Sequence, residues 1–216
     1  MQLKQFQGLI TNMPVRCQVF RSKRITWTPY ERHEKVGPAL QRIFNNMDTV
    51  TLSRDDVFKL AQSNDLATFI VGTFIWGYPR GGRGKNFLNL VQDFDNLITL
   101  LNQTSERGIA KWEEHFAAVD RIRGVGLSTY TKFLYFLRIR VEDMTALIFD
   151  QRIIKVINDK IFIDLDPLYK VPKCKPERKY PEYLFCMHNV ASDIGVTAEA
   201  LELFLFEFSK KSTKSG

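Results

Sequence analysis

Cysteine is scarce in this 216-residue chain: Cys17, Cys174 and Cys186 make an odd count with no C-x-x-C pair. A disulfide framework, an iron-sulfur loop and a four-cysteine zinc site are disfavoured, and three reduced, mostly structural thiols are expected. Histidine is equally sparse; His33, His115 and His188 lie far apart without ligand spacing, so neither a catalytic metal nor a cofactor is expected. Long apolar runs are missing too. The longest, Phe69 to Trp76, falls well short of the roughly 18 residues of a membrane helix and runs into Gly77-Tyr78-Pro79, so it reads as the end of a buried core helix. The first 13 residues carry Gln2, Lys4, Gln5, Gln7 and Asn12 and lack the apolar stretch of a secretory signal. A cytoplasmic protein with no membrane contact is the expectation. Internal repeats are absent, and low complexity is confined to a polar tail at 210–216.

Positive charge and flat side chains are what the chain has in excess. Lys and Arg number 31 against 24 Asp and Glu, a formal charge of +7, alongside 17 Phe and 7 Tyr. Nucleic acid is therefore the first partner to consider. The length suffices for one well-buried core or two small lobes sharing a cleft.

Strand-like alternation is rare and helical periodicity common, which predicts a mainly α fold. Residues 1–37 show no clear pattern; 15–20 could be a short strand or an extended arm. From Pro38 to 209 the pattern is helical, beginning with Leu40, Ile43, Phe44 and Met47 on one face. Ser53 followed by Asp55 and Asp56 predicts a capped helix through Gln62, and Asn64 or Asp65 caps the next, which ends at Gly77. Gly81-Gly82-Arg83-Gly84 interrupts, and Phe87 to Leu101 marks a longer amphipathic helix. Thr104 or Ser105 is expected to cap a further helix ending near Arg121. Helices at 127–139, 151–158, 180–194 and 198–210 follow, with a long Pro, Lys and Asp-rich loop between Phe162 and Pro181.

The segment Ile122-Arg123-Gly124-Val125-Gly126-Leu127-Ser128-Thr129 separates two of these helices. Two glycines around one apolar residue allow a sharp turn with positive φ, leaving backbone N–H groups and a helix N-terminus facing outward. That arrangement suits a phosphate of a nucleic-acid backbone; a plain connector between helices would have the same spacing.

The glycine turn between helices, followed by Ala146-Leu147-Ile148-Phe149-Asp150-Gln151-Arg152, resembles the helix-hairpin-helix and downstream aspartate of the DNA glycosylase superfamily that includes endonuclease III and 8-oxoguanine DNA glycosylase. Within it, Phe74 to Gly84, Tyr130 to Phe136 and Leu201 to Glu207 are similar to a bacterial branch described as 8-oxoguanine glycosylase-like fold proteins. The resemblance covers about 38–208. It implies a two-lobed helical bundle with the hairpin at 122–128, acting as a monomer on double-stranded DNA that contains a damaged or modified base. Repair or attack on invading phage DNA would both fit.

By that resemblance Asp150 stands beside the sugar of the extruded nucleotide, where a carboxylate stabilises oxocarbenium character and orients or deprotonates the attacking water or amine. Asp150 is also placed to N-cap the helix that follows, and the two roles are compatible. Glycosylases of this kind that also cut the strand carry a lysine two residues after the second hairpin glycine; here that place is Ser128. Lys132 lies one helical turn on and 150 − 132 = 18 residues before Asp150, close to the usual lysine-to-aspartate interval. It is a candidate Schiff-base nucleophile, or else a solvated or phosphate-binding lysine. Gly124, Gly126, Ser128, Thr129 and Arg123 are the expected phosphate contacts. Trp76, Tyr78, Tyr130 and Tyr135 are candidates for stacking on the flipped base, with Trp76 equally suited to the core. Arg80, Arg83 and Lys85 form a basic edge beside them, and Arg121, Arg138 and Arg140 are further phosphate candidates. A second reading is a non-catalytic helix-hairpin-helix module that only binds DNA; Ser128 favours it, and Asp150 opposes it, because a carboxylate near phosphates gains nothing for binding alone.

Overall fold

Short polar side chains set several helix ends in the computed structural model, which describes residues 1–82 and 84–212. Ser53 and Asp56 form a reciprocal capping box, Ser53 Oγ accepting from the Asp56 amide and the Asp56 carboxylate from the Ser53 amide. Asp65 accepts from the Thr68 amide, and Thr197 from the Ala200 amide.

The elements run in the order α1 (Gln7–Thr11), β1 (Val19–Lys23), α2 (Val36–Phe44), β2 (Thr49–Ser53), α3 (Arg54–Gln62), α4 (Leu66–Gly77), α5 (Asn86–Gln92), α6 (Phe94–Arg107), α7 (Trp112–Val119), α8 (Leu127–Phe136), β3 (Arg140–Val141), β4 (Met144–Thr145), α9 (Gln151–Asn158), α10 (Tyr180–Asp193) and α11 (Ala198–Ser212). The fold is mainly helical. Its described strands form two antiparallel two-stranded ribbons, β1 with β2 and β3 with β4.

α4 is apolar on every side and is buried from Thr68 to Trp76, as a helix surrounded by protein must be. α2, α3 and α8 pack on it. Burial of apolar surface here and along α8, α9 and α11 supplies the main favourable free energy of the fold, and the buried apolar residues form one continuous core.

Residues 1–37 belong to this core. Leu3, Ile10, Trp27 and Val36 are buried, the Leu3 amide donates to Asp164 at 2.8 Å, and β1 pairs with β2 from Val19↔Ser53 to Lys23↔Thr49. Short 3-10 turns carry no periodicity, and the partner of β1 lies 30 residues downstream in register, so local pattern does not reveal either.

Several helices differ from the expected spans. The helix expected at 127–139 stops at Phe136, before Arg138 with φ 57°, and α2 stops at Phe44, before Asn45 with φ 44°, so Met47 lies outside it. The apolar run from Phe87 to Leu101 is broken at Asp93, whose carboxylate is committed to Arg123. Thr104 and Ser105 lie inside α6 instead of capping a new helix; Thr104 Oγ1 bonds back to the Leu100 carbonyl at 2.7 Å, and the helix stops at Gly108, whose φ of 66° ends the α conformation. The long loop after Phe162 contains 3-10 turns at Ile163–Leu168 and Pro176–Lys179. Of the tail at 210–216, residues 210–212 continue α11 and 213–216 lie outside the described residues.

Candidate active site

α7 and α8 are joined by a tight turn at 120–126, and the turn is held from behind. Gly124 has φ 82°, and a Cβ there would lie 2.1 Å from the Asn86 carbonyl oxygen and 2.7 Å from the Leu90 nitrogen, so only glycine lets the turn rest on α5. Asp93, between α5 and α6, accepts from the Arg123 amide at 2.9 Å and from the guanidinium at 3.0 and 3.1 Å. The hydrogen bonds from Arg123 hold the Asp93 carboxyl below the usual carboxylate range. Arg123 thus braces the turn, which restricts its use as a free phosphate contact.

The open side of the turn is the start of α8. Gly126 is its exposed N-cap, and its carbonyl accepts from the amides of Thr129 and Tyr130. Leu127 and Ser128 amides have no acceptor among the described residues, so two donors are left unpaired at the positive end of a ten-residue helix.

Lys132 points back along α8, as side chains on a helix do. Its Nζ lies 2.8 Å from both the Ser128 carbonyl oxygen and Ser128 Oγ, and the residue is only 5% exposed. Gly77 makes room for it: a Cβ at that position would stand 3.1 and 3.2 Å from the lysine Cδ and Cε. The Nζ also lies 5.4 Å from the centre of the Tyr78 ring, and Tyr78 is fixed by its hydroxyl, 2.8 Å from Thr129 Oγ1. The ammonium is therefore delivered to Ser128, the place from which the lysine is missing in the sequence pattern.

Asp150 is half-buried at the N-cap of α9, where Oδ1 accepts from the Arg152 amide at 2.9 Å and the Ile153 amide at 3.2 Å. Both bonds fall on one oxygen, leaving Oδ2 for another partner. The segment before it is clamped by three buried hydroxyls. Thr131 Oγ1 accepts from the Phe149 amide at 3.1 Å, Tyr180 donates to the Leu147 carbonyl at 2.8 Å, and Tyr183 donates to the Ile148 carbonyl at 2.9 Å. The Phe149 and Tyr183 rings stack at 4.2 Å. Burial pushes both tyrosine hydroxyls above their ordinary pKa, which keeps them neutral donors. Since Lys132 follows Thr131 and Asp150 follows Phe149, one hydrogen bond registers the amine against the acid.

Thr131→Val, nearly isosteric, strands the buried Phe149 amide; a loss of about 1–3 kcal/mol is expected in denaturant unfolding.

Beneath this pair lies a buried ion pair that sequence reasoning missed. Arg54, the first residue of α3, is bidentate to Glu202 of α11 at 2.9 and 3.2 Å and reaches Tyr135 at 3.3 Å; the two charged side chains are 1% and 0% exposed. Burial raises the Glu202 carboxyl pKa, Arg54 opposes that, and weaker influences come from Asp150, which raises it, and Lys132, which lowers it. The carboxylate therefore feels both candidate catalytic charges. The residues are 148 positions apart, and no local pattern links them.

The remaining sequence candidates separate by burial. Trp76, Tyr130 and Tyr135 are at most 3% exposed. Trp76 packs on Phe20 and Phe136, Tyr130 on Trp112 and His115, and Tyr135 on Phe58 and Phe136. Their ring faces are spent on the core, which disfavours stacking on a base. Tyr78 alone among the four is partly open and adjoins Lys132. Arg80 and Lys85 are exposed on the loop after Tyr78; Arg83 lies outside the described residues. Arg138 pairs with Glu199, Arg140 bonds the Asp143 carbonyl, and Arg121 is exposed.

No group of three or more His, Cys, Asp or Glu that could hold a metal occurs among the described residues, and no described helix is long and apolar enough to cross a membrane.

The fold and these side chains define a mainly helical protein with a buried amine on α8 and a half-buried acid at the start of α9. Comparison with family models narrows this: residues 13–206 match the family described as "Putative 8-oxoguanine DNA glycosylase OGG-like protein", and the chain belongs to that family. Its coarse assignment is accordingly to the DNA glycosylases, with DNA as the substrate. No curated protein and no solved structure matches the chain.

Proposed function

We propose that the chain is a DNA N-glycosylase that flips a damaged or modified base out of duplex DNA and breaks its glycosidic bond with Asp150 and Lys132. The observation that supports this reading is the Thr131 to Phe149 hydrogen bond, which ties the residue before Lys132 to the residue before Asp150, on the helix whose Leu127 and Ser128 amides are unpaired among the described residues. Those amides suit a backbone phosphate, and the turn at 122–128 acts as the hairpin of a helix-hairpin-helix.

In the reaction, Asp150 stabilises positive charge developing on the sugar. Lys132 passes a proton to the Asp150 carboxylate, keeping two N–H donors for its two Ser128 acceptors and a lone pair for C1′. Attack there forms the N–C1′ bond as the glycosidic bond breaks, and the base leaves with that electron pair and takes the proton back from Asp150. The amine adduct opens the sugar ring to a Schiff base. Loss of a C2′ proton then expels the 3′ phosphate.

Borohydride tests the amine directly. The wild-type protein on damaged or abasic DNA is expected to give a covalent adduct. Lys132→Gln, which can still donate to the Ser128 carbonyl, is expected to give none. Base release without an adduct would make water the nucleophile, activated by Asp150, and reduce Lys132 to a structural role.

A further inference from the structure

Ile25 is 73% exposed, the highest value among the exposed large apolar side chains of the described residues. An isolated exposed isoleucine is ordinary; the mounting of this one is not. It sits in the middle of a one-turn 3-10 helix, Arg24–Thr26, held on both sides. The Arg24 amide donates to the Asp48 carbonyl at 2.8 Å, and its guanidinium is folded onto Glu31 at 2.7 Å. On the other side Trp27 is buried, with its ring 4.9 Å from Phe87 and its indole N–H on Ser22 Oγ at 2.8 Å. Thr28 Oγ1 donates to the Ile25 carbonyl itself at 3.0 Å. The backbone is thus fixed while the apolar side chain is presented to solvent.

This mount is tied to the candidate site. Ser22 Oγ donates to the Pro79 carbonyl at 2.7 Å, and Thr26 Cγ2 lies 3.2 Å from where a Cβ on Gly81 would be. Gly81, with φ 89°, donates to the Tyr78 carbonyl at 2.9 Å, and Tyr78 adjoins Lys132. Exposed Lys23, Arg80 and Lys85 belong to the same pair of segments. Of the two acids beside the turn, Glu31 is paired with Arg24 and Asp48 is exposed.

We infer that Ile25 is a wedge that enters the base stack of bound duplex DNA beside the target nucleotide. Cations at Lys23, Arg80 and Lys85 draw the backbone onto the turn, and the rigid apolar tip replaces stacking lost when a base leaves the helix. The loop from Tyr78 to Gly81 links the segment that carries the wedge to the ring beside the amine. The inference rests on the proposed glycosylase reading for its purpose, but the test separates them.

Duplexes carrying 2-aminopurine beside a mismatch or abasic site report unstacking by fluorescence whether or not any bond is cut. Wild-type protein and Asp150→Asn are expected to raise the fluorescence equally, and Ile25→Ala is expected to lose most of the rise with duplex affinity within about threefold, because phosphate contacts dominate binding. Ile25→Leu should restore it. Where base is released, Ile25→Ala should slow release from duplex about tenfold and leave single-stranded DNA unaffected, since only the duplex demands unstacking. An equal rise with wild type and Ile25→Ala, or no rise with wild type, overturns the wedge. A wedge signal without base release from any substrate overturns the glycosylase reading alone. Because Ile25 is exposed, the substitution leaves the fold intact, which thermal unfolding checks.

Discussion

Asp150→Asn is expected to lower base release by about a thousandfold while DNA affinity stays within a few-fold of wild type. The substitution is well suited to the question because asparagine caps helices about as well as aspartate. Its side-chain oxygen can still accept from the Arg152 and Ile153 amides, so α9 keeps its start and the fold its stability. What is removed is the negative charge and proton affinity of the carboxylate, whose Oδ2 the two capping bonds leave unused. Single-turnover release measured beside a binding titration separates the two effects. Unchanged release would mean that Asp150 is a helix cap and nothing more.

Arg54→Met is expected to cause the largest loss of stability, about 3–5 kcal/mol, because it leaves the Glu202 carboxylate buried without its cation. That corresponds to a fall in Tm of roughly 10 °C for a chain of this size. The pH dependence follows from sign. Burial places the folded-state pKa of Glu202 above its unfolded value, so the carboxyl contributes stability fully below the unfolded pKa and loses it as pH rises through the folded one. Without Arg54 the folded pKa climbs further. The deficit of the variant relative to wild type should be greatest near neutral pH and shrink as acid protonates Glu202. Replacing both residues by methionine should recover most of the loss, since a buried pair exchanged for apolar groups is often close to neutral. Equal thermal stability of Arg54→Met and wild type across this range would contradict the account.

Where one periodic helix or one cap carries the information, the sequence is readable: Gln151–Asn158 begins right after Asp150, and Ser53 and Asp65 start their helices. Lys132 and Asp150 are candidates by resemblance to the superfamily, and the structure adds that the residues just before them, Thr131 and Phe149, are hydrogen-bonded to each other. The hydroxyls of Tyr180 and Tyr183, the Arg54 to Glu202 pair and the pairing of β1 with β2 depend on residues brought together from distant parts of the chain, and nothing local marks them. Aromatic identity also misled about location. Trp76, Tyr130 and Tyr135 lie near site residues in sequence, yet the helical turn carries them into the core, whereas Tyr78 sits just past the end of α4 and stays partly open. Arg123 lies in the turn between α7 and α8, but the carboxylate of Asp93, 30 residues away, already engages it.

Release of a base from DNA is the activity proposed for this protein. Its most direct test is mass spectrometry of the small-molecule fraction after the wild-type protein is incubated with a panel of duplexes carrying oxidised purines and hypermodified pyrimidines. The account predicts a free base from at least one duplex, and none when Asp150→Asn is used on it. Tight binding to these duplexes with no base released from any of them would contradict the account and describe a module that only holds DNA.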